Sequence, residues 1–295
     1  MKVTNRYNIP DTFMNFEKVN NYSHGDADMG VTTLIGSARI RMLRREHEEE
    51  ISEDISERIM SILGTAVHNI LETGASEHDV VEERLYGSFG DTVVSGQVDL
   101  RSPVEGGWVL SDYKTCSAFA IKKSPEGKIE WEHQLNIYRV LAELNEHRIK
   151  GLEVVAIVRD WTRANADRDK DYPQSAVVRI PIRMWDIDDV WEYIDERVAA
   201  HNSDELPQCS DEEMWSSPPA YAVFGVNKDG SKKKRATRLF DSHLSAEIFR
   251  SELGGVATIE VRPGRRARCE GNYCGVSSVC SQFKQYKDGQ ELGKL

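Results

Sequence analysis

Apolar residues recur at Ile59, Ile62, Leu63, Ala66, Val67, Ile70 and Leu71, a spacing of three and four that predicts one face of a helix ending near Gly74. Beyond it the period shortens. "VVEERLYGSF", "TVVSGQVDL" and "GWVLSDYKT" predict three strands joined by Gly-containing turns, as in an antiparallel meander. "EWEHQLNIYRVLAELNEH" then predicts a helix, "GLEVVAIVRDW" a buried strand, residues 163–173 a charged loop and "SAVVRIPIR" a further strand. "DIDDVWEYIDERVAAHN" closes the series as a helix with acidic residues at its positive end. Upstream, "TTLIGSARIRMLRREHEEE" predicts one helix capped by Thr32 or Thr33, and residues 1–30 read as an irregular leader. The order defines an α/β core with a mixed sheet over residues 31–203.

From about residue 204 the texture changes. Pro207, Pro218, Pro219, a "KDGSKKKR" turn and four of the five cysteines lie there, which predicts a separate cysteine-rich subdomain over 204–295. A chain of 295 residues with 39% hydrophobic and 29% charged content has room for a large core. No apolar run approaches the roughly 18 residues that a membrane span needs. The start, "MKVTNRYNIPDTF", lacks the apolar segment of a secretory signal, so a reducing cytoplasm is expected and the cysteines call for a role other than disulfides. The net charge of −11 opposes bulk coating of nucleic acid. Yet Lys228 to Arg268 holds eleven Lys and Arg against five Asp and Glu, and that segregation points to a polyanionic partner.

Chemistry concentrates at four short motifs. In "GTAVHNILE", Gly64, His68 and Glu72 form one helical stripe; the glycine would permit close approach of another backbone, toward which the histidine would point. "SGQVDL" sets Asp99 near the end of a strand, and "LSDYKT" sets Asp112 and Lys114 on one face of the next. Two carboxylates on adjacent strands suit a hard divalent cation, and a lysine beside them suits an attacking water and developing charge. Taken alone, the Asp–Lys pair reads equally as a surface ion pair of small value. "HQLNIYRVL" sets Gln134 and Tyr138 one turn apart, where an amide and a phenol can meet a phosphate or base.

The ordered set G-x-x-x-H-x-x-x-E, G-x-x-D, D-x-K and Q-x-x-x-Y resembles the RecB-like branch of the PD-(D/E)XK nuclease superfamily over residues 32–200. The resemblance implies a restriction-endonuclease-like core whose central mixed sheet is flanked by helices. It also implies that His68, Asp99 and Asp112 contact Mg²⁺ or Mn²⁺, directly or through water, with the Tyr113 carbonyl as a further ligand. Lys114 would orient or activate the water, and Gln134 and Tyr138 would position DNA and the lysine. The implied activity is a metal-dependent DNA exonuclease or flap nuclease of replication, recombination or repair, with a phage among the candidate sources. Its partners would be single strands, duplex ends or flaps, together with proteins of those pathways. Two alternatives stay open: a structure- or sequence-specific endonuclease on the same core, and a degenerate module that binds DNA without cutting it.

"RCEGNYCGVSSVCSQF" supplies Cys269, Cys274 and Cys280, and "LPQCSDEEMW" supplies Cys209. Four thiolates suit Zn²⁺ or an iron–sulfur cluster, and the intervals here are longer than the C-x2-C knuckle of most zinc sites. Nucleases of the AddB type and the CRISPR-associated adaptation nucleases, which the sequence resembles, carry a 4Fe–4S cluster on one distant and three C-terminal cysteines. In those proteins the distant cysteine precedes the core; here Cys209 follows it. Cys116 is left over and is assigned to packing. Lys232, Lys233, Lys234, Arg235, Arg238, Arg262, Arg265, Arg266 and Arg268 read as a phosphate-contacting surface. Tyr221 and Phe224 fit strand packing better than base stacking.

Overall fold

The computed structural model describes residues 2–19 and 23–292; the ends of the leader and subdomain readings, residues 1, 20–22 and 293–295, lie outside the described residues. In chain order the elements begin with β1 (Lys2–Thr4), α1 (Asp11–Val19), β2 (Met29–Gly30), α2 (Val31–Ile35), α3 (Ala38–Glu46), β3 (Ser52–Asp54) and α4 (Ile59–Glu72). The series continues with β4 (Val80–Phe89), β5 (Thr92–Val104), β6 (Gly107–Cys116), α5 (Ala118–Lys123), α6 (Ile129–Leu144) and β7 (Ile149–Val158). Then come α7 (Arg163–Arg168), β8 (Val177–Ile182), α8 (Ile187–His201), β9 (Ala220–Phe224), β10 (Arg238–Phe240) and α9 (His243–Glu252). The last are β11 (Thr258–Arg262), α10 (Ala267–Glu270) and α11 (Ser281–Leu292). Two compact units result, one of residues 1–41 and 52–206 and one of residues 42–51 and 207–295.

The first unit is built on a mixed sheet in the order β2-β5-β6-β7-β8, with β4 also paired to β5. β4, β5 and β6 form the expected antiparallel meander. β7 runs parallel to β6, which requires a crossover, and α6 supplies it. That helix buries Trp131, Leu135, Ile137, Val140 and Leu141 and packs across β4 to β8. β8 returns antiparallel to β7, and α8 packs on α6. Asp186 caps α8 by accepting from the Asp188 amide, as the acidic start of that segment anticipates.

Three local expectations are revised. The helix anticipated over 32–50 is split into α2 and α3 by Gly36 and Ser37. The carbonyls freed by the break are taken from α8: Arg197 donates to Leu34 O at 3.0 Å and to Gly36 O, and His201 Nε2 donates to Leu34 O at 3.1 Å. The leader, read as irregular, pairs its β1 with β3 and carries α1. The charged loop over 163–173 holds the short helix α7, capped by Thr162. No helix among the described residues is long and apolar enough to cross a membrane.

The second unit has a three-stranded antiparallel sheet, β10-β9-β11, against which α9 packs. One buried cluster belongs to this sheet, Val223, Ala246 and Ala257, with Tyr221, Phe240, Phe249 and Ile259 partly buried around them; Met214, Phe224, Val276 and Phe283 are buried in the unit as well.

Candidate active site

α4 has the apolar periodicity of a core helix, yet it contributes no fully buried side chain. Leu63 and Ile70 are exposed. The reason is its position, against β5 and β6, where polar residues rather than core lie beneath it. Its gift to the site is His68. The ring Nε2 donates to Tyr113 O at 2.9 Å, and Nδ1 stands 3.4 Å from Asp99 Oδ2. The hydrogen bond to Asp99 raises the His68 pKa against the opposing effect of burial, and the Asp99 and Asp112 charges raise it further. Gly64 is not a close-contact glycine, contrary to the sequence reading: a methyl there would meet only Thr115 Oγ1 at 3.7 Å. Gly64→Ala is therefore expected to stabilise the protein by about 0.5–1 kcal/mol through helix propensity, as read by urea unfolding; a loss of stability would refute this reading of the helix contact.

Asp99 and Asp112 face each other by strand pairing. The β5–β6 ladder ends at Leu100 and Ser111, and the next step outward is Asp99 opposite Asp112. The Asp99 carboxylate takes over there, accepting from the Tyr113 amide at 2.7 Å. Asp112 is 2% exposed and forms an ion pair with Lys114 Nζ at 2.6 Å. Burial drives its pKa up to about 6; the Lys114 charge opposes the rise and the Asp99 charge adds to it. Two carboxylates meet here beside one lysine and one histidine, the mix of acidic and basic side chains that cation sites and reaction centres gather.

A further carboxylate completes the group. Ligand atoms of His68, Glu82 and Asp99 all lie within 4.8 Å of one another, while Asp112 is engaged with Lys114. Glu82 sits in β4 with φ of +50°, a left-handed backbone unusual for a side-chain-bearing residue in a strand. Pairing of β4 to β5 skips Glu82 and Asp99 while holding Val81 to Leu100 and Glu83 to Val98. Glu82 Oε2 accepts from Gln97 Nε2 at 2.8 Å, and Gln97 Oε1 accepts from Arg84 at 2.6 Å. Burial and the Asp99 charge raise the Glu82 pKa. The sequence reading placed this residue in a strand and gave it no part in the site.

Gln134 and Tyr138 are both buried, and the amide donates to the phenol oxygen at 2.8 Å. The Tyr138 ring lies over Gly96, the glycine of G-x-x-D: a methyl there would come within 2.5 Å of Tyr138 Cε1 and 3.0 Å of Leu141. That places the pair between α6 and β5, as support for the strand that carries Asp99. Gly96→Ala should cost about 1–3 kcal/mol by overpacking and reduce turnover more than the loss of stability explains; unchanged thermal unfolding would refute it.

In the second unit, Cys209 is held by a reciprocal clamp: its amide donates to Gln282 Oε1 at 2.9 Å, and Gln282 Nε2 donates to Cys209 O at 3.0 Å. Gln282 lies in α11, two residues after Cys280, so residues far apart in sequence are drawn together. Cys274 and Cys280 are buried. The Cys269 thiol is pushed up to about 11 by burial and by the charges of Cys274, Cys209 and Cys280. The four thiols influence one another electrostatically but, among the described residues, are not drawn within 4.8 Å of one another as the His68 group is; Cys116 is buried in the core of the first unit. Of the basic residues, Lys232 pairs with Glu260, Arg265 pairs with Glu270 at 2.8 Å and Arg238 lies over Phe240 and Phe249. Lys233, Lys234 and Arg235 are exposed in the turn after β9. Phe224 is buried in β9, as strand packing requires.

The family model of the PD-(D/E)XK nuclease superfamily matches residues 41–281. Among solved structures, the crystal structure of SSO0001 is similar at 17% identity, covering 65% of this chain and 84% of that one, with a TM-score of 0.43. A phage-related exonuclease from Haemophilus somnus 129PT is similar at 15% identity, covering 64% and 76%, with a TM-score of 0.27. No curated protein matches.

Proposed function

Since the chain belongs to the PD-(D/E)XK nuclease superfamily, we propose that it is a Mg²⁺- or Mn²⁺-dependent DNA exonuclease of the RecB-like branch. The observation that carries the proposal is the meeting of His68, Asp99, Asp112 and Lys114 at the open end of the β5–β6 ladder. The donor set fits a divalent cation, with crowded buried carboxylates, one imidazole and a neighbouring backbone carbonyl. His68, Asp99 and Asp112 would hold it, with Glu82 and the Tyr113 carbonyl within the same group. A bound cation supplies Lewis-acid polarisation of the scissile phosphate and acidifies its water.

The chain's own residues do the rest. Lys114 is aimed by its ion pair with Asp112, so its ammonium can hold the attacking water and offset charge that develops on the phosphoryl oxygens. Asp99 fixes Tyr113 through its amide while offering oxygen to the cation. Gln134 and Tyr138 hold α6 against Gly96 and so fix where Asp99 stands. The test is digestion of end-labelled linear DNA beside covalently closed circles, in Mg²⁺ and in Mn²⁺. Release of nucleotides from ends with intact circles is the expected result; nicked or linearised circles would reassign the protein as an endonuclease. No hydrolysis in either metal would leave a DNA-binding module.

For the second unit we infer a four-thiolate centre on Cys209, Cys269, Cys274 and Cys280. The long intervals between the last three cysteines favour a 4Fe–4S cluster over zinc. Protein purified without oxygen should be brown and contain iron; a colourless protein with one equivalent of zinc would replace the cluster by a zinc site.

A further inference from the structure

Trp215 and Tyr273 display their rings to solvent side by side in the second unit. They are 44% and 68% exposed, with centroids 5.4 Å apart at an interplanar angle of 46°. The Arg268 guanidinium lies 5.5 Å from the Trp215 ring centroid and is anchored by donating to Glu213 O at 3.0 Å. Solvent exposure of two large aromatics together is costly for a surface with no use for them. Their placement is also built. Trp215 adopts φ of +51°, a conformation that disfavours an indole-bearing residue. It is held by its amide donating to Glu212 O at 2.9 Å and by Arg268 donating its own amide to Met214 O at 3.1 Å. Gly271 has no side chain where one would strike the Tyr273 ring at 2.5 Å, so the tyrosine can lie across it.

Next along the same two segments is a cleft of about 430 Å³ lined by Ser216, Ser217, Gly264, Arg265, Arg266 and Tyr286, among others. Its volume falls in the roughly 300–1,000 Å³ range of small-molecule sites. Gly264 lets its segment approach Ser217, whose carbonyl a methyl would meet at 2.1 Å. The Arg266 guanidinium lies 4.4 Å over the Tyr286 ring. Glu270 orients Arg265 and accepts from the Arg266 amide at 3.0 Å. Of the residues that line the cleft, Asp211 is the acid and Arg265 and Arg266 are the bases. Aromatic faces with adjoining arginines suit unpaired nucleotides, whose bases stack while their phosphates pair with the cations.

We propose that Trp215 and Tyr273 are a stacking platform for an unpaired base and that the Arg265–Arg266 cleft receives the neighbouring phosphate, so that the second unit grips single-stranded DNA. The proposal rests on the reading of the chain as a DNA-acting nuclease, and it names the form of DNA. The test uses the full chain carrying Asp112→Asn, without added divalent cation, and fluorescence anisotropy with labelled oligo(dT). A second probe is an oligomer of the same length made of abasic units, which keeps the phosphates and lacks the bases.

The parent should bind oligo(dT) more tightly than the abasic oligomer. Tyr273→Ala and Trp215→Ala should each weaken oligo(dT) about 10-fold while leaving abasic binding and the salt dependence unchanged. Trp215→Phe and Tyr273→Phe should retain most of the affinity. Arg266→Gln should weaken both oligomers and lower the salt slope by about 1. Equal affinity of the parent for the two oligomers, or oligo(dT) binding unmoved by Tyr273→Ala, overturns the platform. Cleavage is read separately on the Asp112 protein. A chain that cuts DNA but lacks these effects loses the platform alone, and one that shows them without cutting loses the nuclease reading alone.

Discussion

Asp112→Asn protein is expected to fold, to bind DNA and to lose cleavage by about 10³-fold or more, the scale at which removal of a charge-stabilising group in a reaction centre is felt. The substitution keeps shape and removes charge from a group that is 2% exposed. Its effect on stability has a sign that can be worked out. Burial raises the Asp112 pKa to about 6, above the roughly 3.9 of an unfolded aspartate, so the native state binds a proton that the unfolded state does not across that window. Stability therefore falls as pH rises from about 4 to 6, and the ionised carboxylate is a burden above that. Asn carries no such burden, so the variant should melt higher than the parent at pH 7–8 without divalent cation, and the gap should close toward pH 4. Added Mn²⁺ should raise the parent's melting temperature by mass action and leave the variant's much less changed. Thermal melts across pH, with and without Mn²⁺, check all three statements. A variant that melts lower at pH 8 and still cuts DNA at the parent rate would remove Asp112 from the centre.

If the proposed four-thiolate centre holds, Cys280→Ser is expected to release its metal and to open the second unit to protease while the first unit stays folded. The physical reason lies in the size of its core. Val223, Ala246 and Ala257 are the buried members of the sheet cluster, whereas Leu239, Leu244, Ile248, Val256 and Val261 are exposed nearby in the chain. A sheet whose buried cluster is this small gains from a staple. Structural metal centres contribute on the order of 10 kcal/mol in small domains, and one lost ligand of four forfeits a large part of it. Limited proteolysis with metal analysis reads the result: cleavages after residue 206 and a resistant fragment spanning β1 to α8. Full metal content in the variant, or unaltered resistance of residues 207–292, would show that Cys280 ligates nothing.

The alternation of "VVEERLYGSF", "TVVSGQVDL" and "GWVLSDYKT" made the meander legible, because a half-buried strand writes its two faces at period two. Asp99, Asp112, Lys114 and His68 were legible only as an ordered set, each being ordinary alone. Glu82 was within reach and was missed. Gly90 and Asp91 make a two-residue turn between Phe89 and Thr92, and counting back from it puts Glu82 opposite Asp99. Its left-handed backbone, by contrast, leaves no trace in the residue type. The apolar face of α4 misled for another reason: periodicity reports that a face exists and is silent about whether core or a polar site lies beneath. The split at Gly36 was legible as a glycine, but the carbonyl bonds from Arg197 and His201 that stabilise it are long-range, and no local pattern carries them.

Asp99 answers to two masters. Its carboxylate replaces a missing ladder partner for the Tyr113 amide, and it belongs to the candidate cation group with His68 and Glu82. Asp112 has no backbone duty of that kind. If this lineage gave rise to copies that abandoned cleavage and kept only their grip on DNA, Asp112 would be free to drift first, while Asp99 would persist as an architectural relic. A paralogue with an intact Asp99 is thus no witness to turnover, and the residue at position 112 is the one to inspect.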